Sequence, residues 1–84
     1  MRPLELYGTR SCPFTTDLRE HLLWQGQAFV EYDVEADPKA LRRMLALTNG
    51  DHTVPVLVED NAVVGVGWRG RGCVVHKLLA EDEH

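Results

Sequence analysis

Two strand-like runs that enclose a helical pattern constrain the fold of this chain more than any other feature. The first run is mainly apolar and lies at residues 4–7, and the second alternates apolar and polar side chains over residues 29–34. Between them, Phe14, Leu18 and Leu22 recur every four residues, as one face of a helix does. A strand, a helix and a second strand in this order predict two parallel strands joined by a crossover helix.

The middle of the chain adds a second helix and a hairpin. Asp37 is a typical N-cap, and Pro38 fits the first helical position, where its missing N–H would have had no partner. Two runs rich in valine, residues 54–58 and 62–64, flank the turn residues 59–61. This pattern predicts a hairpin of two antiparallel strands.

The end of the chain is predicted to form a loop and a closing helix. Residues 65–72 hold four of the seven glycines and are loop-like. The apolar positions that suit the closing helix are Val74, Val75, Leu78 and Leu79. The whole order is βαβαββα, which predicts an α/β chain with a minimal thioredoxin fold. We expect a four-stranded mixed sheet flanked by helices, in a single domain over residues 1–84.

Composition and charge exclude several classes of function. A chain of 84 residues with a net charge of −4 is one small domain and is not suited to general binding of nucleic acid or an anionic membrane. No apolar stretch of about 18 residues is present to span a membrane, and no signal-peptide pattern opens the sequence. We therefore expect a cytoplasmic monomer with reduced thiols. The histidines show no metal-ligand spacing with the two cysteines, so we predict no metal site.

Cys12 lies where the first apolar run ends and the helical pattern begins. A cysteine at a helix start has its sulfur near unpaired backbone N–H groups, which favour thiolate over thiol. Pro13 fits the first helical position, and Arg10 adds a positive charge nearby. We therefore predict a reactive sulfur at this boundary. A buried apolar cysteine is the alternative interpretation, and it explains this placement less well.

A second motif, Thr-Val-Pro at residues 53–55, stands in the second half of the chain. Pro55 is suited to a strand start and is a candidate cis-proline. Cys-Pro-x-x at Cys12 followed by Thr-Val-Pro resembles the glutaredoxin family, and residues 28–38 and 47–50 extend the resemblance over nearly the whole chain. The chain is also similar to short bacterial glutaredoxin-like proteins, some of whose relatives carry selenocysteine at the nucleophile position.

The resemblance implies a thiol–disulfide oxidoreductase in which Cys12 is the nucleophile. Its thiolate attacks a disulfide, forms a mixed disulfide and is released by a second thiol. Dithiol glutaredoxins carry a second cysteine at the position of Thr15, so the resemblance implies a monothiol route with glutathione as cosubstrate and no tightly bound cofactor. Glutathionylated or disulfide compounds are the implied substrates. Thr15 either bonds locally in the first helical turn or donates a hydrogen bond to the sulfur.

The resemblance also implies a glutathione site around the sulfur. Thr53, Val54 and Pro55 would face it, and the Val54 backbone would pair with glutathione as with an added strand. Pro13 and Phe14 would belong to the same surface.

The charged contacts to glutathione match the family less closely. The basic residue that glutaredoxins carry three positions before the nucleophile corresponds to Thr9, with Arg10 beside it. Arg42 or Arg43 on the second helix is the alternative source of this charge. Two solvated arginines on an exposed helix face are the other interpretation.

Cys73 stands in a segment that departs from the family, and this segment also carries Trp68. With Gly72, Cys73 is predicted to start the closing helix. There it is either a core cysteine beside Val74 or a candidate resolving thiol for Cys12. Trp68 is predicted to anchor the loop on the core.

Two other functions remain open from the sequence. Some monothiol glutaredoxins hold a [2Fe–2S] cluster between two subunits, but these usually carry Cys-Gly-Phe-Ser, whereas Pro13 follows the cysteine here. A thioredoxin-fold adaptor would instead bind a protein through the Thr-Val-Pro face without chemistry. Brown colour after anaerobic purification would indicate the first, and a functional Cys12→Ser variant would indicate the second.

Overall fold

The computed structural model describes residues 4–75, and its elements follow the predicted order over most of this part of the chain. They are β1 (Leu4–Gly8), α1 (Pro13–Trp24), β2 (Phe29–Asp33), α2 (Pro38–Thr48), β3 (Thr53–Val54), β4 (Val56–Glu59), β5 (Ala62–Val66) and β6 (Cys73–Val74). The predicted βαβ unit, the second helix and the hairpin are confirmed.

A four-stranded mixed sheet forms the centre of the fold, with the strand order β2-β1-β4-β5. β1 is parallel to β2, and β4 is antiparallel to both β1 and β5. The parallel pair requires the crossover through α1, whereas a short turn suffices for β4 and β5. The α/β class and the four-stranded mixed sheet are therefore confirmed. Leu78 and Leu79 of the predicted closing helix lie outside the described residues.

The two helices pack on opposite faces of the sheet because the side chains of β1 alternate in direction. Leu6 packs with Leu18 of α1 in one buried cluster, and Tyr7 packs with Leu41 of α2 in the other. The second cluster also contains Cys12. The cysteine at the helix start is therefore part of a packed core, and its position is fixed by that packing.

Caps and prolines set the ends of both helices. Asp37 caps α2 by accepting hydrogen bonds of 3.0 and 3.4 Å from two first-turn N–H groups, and Asn49 ends this helix with φ of 64°. In α1, Cys12 is the N-cap residue without a side-chain cap bond, and Pro13 follows it. Within residues 4–75, neither helix combines the length and apolar character needed to cross a membrane.

The segment after Gly72 forms a strand, so the prediction of a helix over Cys73 and Val74 is wrong. β6 pairs antiparallel with β3, which sets Cys73 opposite Val54 and Val74 opposite Thr53. Gly72 permits this approach, because a Cβ atom there would lie 2.6 Å from the Val54 carbonyl oxygen. The end of the described chain therefore supplies the strand partner of β3.

The glycine-rich loop is shorter than predicted, because β5 extends to Val66. A tight turn follows, in which the backbones of Trp68 and Arg71 exchange hydrogen bonds of 2.6 and 3.0 Å. Both central residues of this turn have positive φ, 54° and 78°, as a type I′ turn requires. The Trp68 ring lies 4.9 Å from the ring of His21 on α1. The predicted anchoring of the loop by Trp68 is thus confirmed.

Candidate active site

Cys12 holds its sulfur between the start of α1 and the edge of β3. Its backbone is extended, and its carbonyl oxygen accepts a hydrogen bond of 3.2 Å from the N–H of Thr16 in the first turn. The Sγ atom lies 3.9 Å from the carbonyl oxygen of Val54, and the side chain is only 1 % exposed. The predicted position at the helix start is confirmed, and it lies beside the Thr-Val-Pro motif.

Cys73 lies beside Cys12, although the two are far apart in the sequence. Its partner across β3 and β6 is Val54, whose carbonyl oxygen the Cys12 sulfur contacts. Each thiol shifts the pKa of the other, and both are free rather than joined in a disulfide. The strand β6, and not the predicted helix start, brings the second thiol to the first.

The two thiols have opposite pKa shifts. Burial raises the pKa of Cys12, but hydrogen bonds to its sulfur outweigh burial and lower it. The donors are the Cys73 thiol, the Thr15 hydroxyl and the backbone N–H groups of Thr15 and Phe14. The hydrogen bond with Cys12 raises the pKa of Cys73 to about 11, and burial and the charge on Cys12 act in the same direction. The arrangement therefore favours a thiolate on Cys12 and keeps the proton on Cys73.

The Thr15 hydroxyl is fully buried and has no hydrogen-bond partner among the described residues. A thiol sulfur is a weak acceptor and a thiolate is a strong one, so we expect this hydroxyl to donate to the sulfur when Cys12 ionises. Gly8 leaves room for this side chain, because a Cβ atom there would lie 2.6 Å from Thr15 Oγ1. Of the two roles considered for Thr15, the structure shows no local hydrogen bond from its hydroxyl, and donation to the sulfur stays a prediction.

Replacing Thr15 with valine is expected to stabilise the fold and to raise the pKa of Cys12. An unsatisfied buried hydroxyl costs about 1–3 kcal/mol, and valine removes it together with a donor to the thiolate. Urea denaturation at acidic pH, where Cys12 is a thiol, measures the stability, and the pH dependence of iodoacetamide alkylation measures the pKa. Thr15→Ser keeps the hydroxyl and is the control. A loss of stability in Thr15→Val would contradict the absence of a partner in the thiol form.

The thiol pair is expected to titrate in two separate steps. The first, chiefly from Cys12, should fall below the ordinary thiol pKa of 9.0, and the second at about 11. Cys73→Ala removes a donor to the thiolate and should raise the pKa of Cys12, whereas Cys73→Ser keeps a hydroxyl donor and should raise it less. NMR titration of isotope-labelled cysteine Cβ signals resolves the steps. Two coincident steps near the ordinary value would argue against an interaction between the two thiols.

The Thr-Val-Pro motif lies beside the Cys12 sulfur, and the backbone edge of the motif is paired with another strand. The Val54–Pro55 peptide bond is cis, which confirms the candidate cis-proline. β3 ends at Val54 and β4 begins at Val56, so Pro55 interrupts what the sequence predicts as one strand. The backbone edge of Thr53 and Val54, predicted to be open for glutathione, is paired with β6 in this structure.

The arginines considered as glutathione contacts lie in different surroundings. Arg10 is 93 % exposed and pairs with Asp33 at 3.8 Å. It is not among the principal groups that lower the pKa of Cys12. Arg43 Nε donates to the Tyr7 hydroxyl at 2.7 Å, and its guanidinium also donates to Glu5 of β1 and to Asn61 in the turn between β4 and β5. Arg42 is exposed on α2. Because the hydrogen bonds of Arg43 hold its guanidinium within the fold, Arg42 is the arginine of α2 that remains a candidate for contact with glutathione.

A shallow groove of about 330 Å³ lies between α1 and the turn after β5. It is lined by Phe14, Asp17, Trp68, Arg69 and Arg71. The Arg69 guanidinium lies 5.2 Å from the centroid of the Trp68 ring, in cation–π geometry. Phe14 is half-buried and packs against the cluster that contains Cys12, so the groove adjoins the candidate site.

The fold and the site together define a class of protein. A mixed sheet, a cysteine of lowered pKa at a helix start and a cis-proline beside the sulfur are typical of thioredoxin-fold thiol proteins. Among residues 4–75, no group of three or more histidine, cysteine or carboxylate side chains is placed to hold a metal ion.

Comparisons with known proteins agree with the class of thioredoxin-fold thiol proteins and identify one family within it. The glutaredoxin family model matches residues 4–64, and the chain belongs to the glutaredoxin family. Probable glutaredoxin slr1562 of Synechocystis sp. is 35 % identical over 63 residues, which cover 74 % of this chain and 58 % of that protein. Probable glutaredoxin ssr2061 of the same organism is 31 % identical over 62 residues, which cover 74 % of this chain and 70 % of that protein. The chain thus matches little more than half the length of the first relative.

Solved structures with the same fold are also similar in sequence. A point mutant of the thioredoxin-like protein BC3987 superposes with a TM-score of 0.68 at 30 % identity, covering 79 % of this chain and 83 % of that one. The unmutated protein gives a TM-score of 0.66 at 31 % identity, covering 74 % and 84 %. Membership of the glutaredoxin family supports a function of the thiol–disulfide oxidoreductase type.

Proposed function

We propose that this protein is a thiol–disulfide oxidoreductase that uses Cys12 as its nucleophile and glutathione as its cosubstrate. The observation that supports this most is the set of donors around the Cys12 sulfur, which lower the pKa of a buried thiol. A lower pKa raises the thiolate fraction at neutral pH. It also makes Cys12 a better leaving group when a second thiol attacks the mixed disulfide.

The proposed cycle needs only one protein thiol, that of Cys12. The Cys12 thiolate attacks the glutathione sulfur of a glutathionylated substrate, and the substrate leaves as a thiolate that takes a proton from water. A second glutathione thiolate then attacks the Cys12–glutathione disulfide, which releases oxidised glutathione and restores Cys12. Thr15 cannot form a local disulfide with Cys12, which favours this monothiol route. The cycle requires no tightly bound cofactor.

Two contacts are proposed for glutathione, the backbone edge of Val54 and the side chain of Arg42. The Val54 carbonyl oxygen lies at the Cys12 sulfur, so a peptide paired with this edge would bring its own cysteine to the nucleophile. Arg42 is exposed and offers a guanidinium to a carboxylate. We further propose that the protein acts as a monomer in a reducing compartment such as the cytoplasm, with neither nucleic acid nor membrane as a partner.

Matched peptide disulfides test the glutathione linkage. One peptide is prepared as its mixed disulfide with glutathione and as its mixed disulfide with cysteine, and each is incubated with the protein and reduced glutathione. We expect the glutathione adduct to be reduced with the higher kcat/KM, because only it offers a γ-glutamyl and a glycyl arm. Equal rates for the two peptides would contradict glutathione recognition while leaving the exchange chemistry of Cys12 in place.

A further inference from the structure

The strand β6 occupies the edge on which a disulfide substrate would dock. It pairs antiparallel with β3, and Cys73 stands opposite Val54. A substrate that adds as a strand to the same edge would use the same backbone groups. Cys73 also carries its thiol to the position that a substrate cysteine would take, because it stands opposite Val54, whose carbonyl oxygen lies 3.9 Å from the Cys12 sulfur.

The burial of Cys12 shows that this arrangement is closed to substrates. Cys12 is only 1 % exposed. An external disulfide therefore cannot bring its sulfur into line with the Cys12 sulfur for the exchange reaction. Cys73, at its side, is only half-buried. We expect movement of β6 to uncover the nucleophile, because this strand is only two residues long and lies outside the four-stranded sheet.

We propose that β6 is an internal substrate strand, which leaves the Val54 edge when a disulfide substrate docks and returns with Cys73 as the thiol that resolves the mixed disulfide on Cys12. This inference rests on the proposed function, since it assigns a second step to the same site. It adds a dithiol route that ends in a Cys12–Cys73 disulfide.

The exchange balances in atoms and electrons. The Cys12 thiolate attacks the substrate disulfide, one substrate thiolate leaves, and the other half stays bound to Cys12. Cys73 loses its proton to water and attacks the Cys12 sulfur, so the second substrate thiolate leaves and the protein disulfide forms. The substrate gains two electrons from the two protein thiols. Two equivalents of a small thiol such as glutathione then reduce the protein disulfide.

The charge on Cys12 explains why Cys73 would act second. While Cys12 is a thiolate, its hydrogen bond and its charge hold the pKa of Cys73 at about 11. A mixed disulfide on Cys12 removes that charge and the strong acceptor, so the Cys73 pKa should move back towards its ordinary value. The second thiol would thus become nucleophilic only after the first has reacted.

Two glycines provide a matched pair of variants for testing the strand. A Cβ atom on Gly72 would lie 2.6 Å from the Val54 carbonyl oxygen and 2.8 Å from Thr53 Cγ2, whereas one on Gly65 meets open space. Gly72→Ala should therefore separate β6 from β3, and Gly65→Ala should not. Each is made in the wild-type chain and in the Cys73→Ser chain, and urea denaturation confirms that each variant folds.

Two measurements follow the strand independently. Dilute protein is oxidised with diamide, and the intramolecular disulfide is followed as a loss of two hydrogens by intact mass. We expect this disulfide to form at similar rates in the wild type and in Gly65→Ala. In Gly72→Ala it should form about 100-fold more slowly, because the two thiols are no longer aligned. In the Cys73→Ser chain, Gly72→Ala should speed glutathionylation of Cys12 by oxidised glutathione about tenfold relative to Gly65→Ala, because the edge is open more often.

The outcomes separate this inference from the proposed function. If Cys12 takes up glutathione but wild type forms no intramolecular disulfide, the internal substrate strand is wrong and the monothiol route stands. If Gly72→Ala and Gly65→Ala behave alike in both measurements, the strand does not control access and the inference is likewise wrong. If the wild-type disulfide forms but Cys12 of the Cys73→Ser chain never reacts with oxidised glutathione, the glutathione function is wrong and the thiol pairing stands.

Discussion

The Cys12→Ser protein is expected to reduce a glutathionylated peptide at least about 1,000-fold more slowly than wild type. A serine hydroxyl does not attack disulfides at neutral pH, and no mixed disulfide can form at position 12 without sulfur. The release of peptide thiol in the presence of reduced glutathione measures the rate. Cys73→Ser is the matched control, because it removes the other thiol and keeps Cys12 as the nucleophile.

This comparison also decides between the functions that the sequence leaves open. A rate that survives in Cys12→Ser and fails in Cys73→Ser would assign the nucleophile to Cys73 and reverse the roles of the two thiols. Full function of Cys12→Ser in the cell would instead favour the adaptor interpretation, in which the Thr-Val-Pro face binds a partner without chemistry.

Replacing Gly8 with alanine is expected to lower the free energy of unfolding by about 1–3 kcal/mol and to raise the pKa of Cys12. Gly8 is buried at the end of β1, and an added Cβ would lie 2.6 Å from Thr15 Oγ1. The Thr15 side chain must move away, and the thiolate then loses a donor. Urea denaturation measures the first effect, and the cysteine NMR titration measures the second. Gly65→Ala is the control, since its Cβ meets no neighbour.

A double-mutant cycle tests whether the loss of stability in Gly8→Ala comes from the contact between the added Cβ and Thr15. Thr15→Ala removes the Oγ1 and Cγ2 atoms that an alanine at position 8 would meet. Gly8→Ala should therefore destabilise the Thr15→Ala protein much less than it destabilises the wild type. An equal loss in both backgrounds would contradict the contact and place the cost in the backbone of β1.

The local elements could be predicted from sequence because each carries its own signal. The four-residue repeat of Phe14, Leu18 and Leu22 predicts α1, and Asp37 with Pro38 predicts the start of α2 at the observed residue. The position of Cys12 at a helix start follows from the same pattern. These features depend on neighbours in the chain, which a periodic sequence reveals.

The pairing of β6 with β3 could not be predicted in this way. Cys73 and Val74 are apolar residues after a glycine, and such a short run suits a strand as well as a helix start. The strand pairing also needs the missing Cβ of Gly72, which lets the backbone approach Val54. Gly8 escapes sequence analysis for the same reason, since its role is the space it leaves for Thr15.

The rate at which Cys12 reacts with oxidised glutathione is the measurement that shows whether it is the activated thiol. Cys73→Ser leaves Cys12 as the single thiol, and Cys12→Ser leaves Cys73. Each protein is incubated with oxidised glutathione at neutral pH, and the adduct is followed by intact mass and located by peptide mapping. We predict that Cys73→Ser gains one glutathione on Cys12 much faster than Cys12→Ser gains one on Cys73. Faster modification of Cys73, although Cys73→Ser remains folded, would contradict the assignment of Cys12 as the activated thiol.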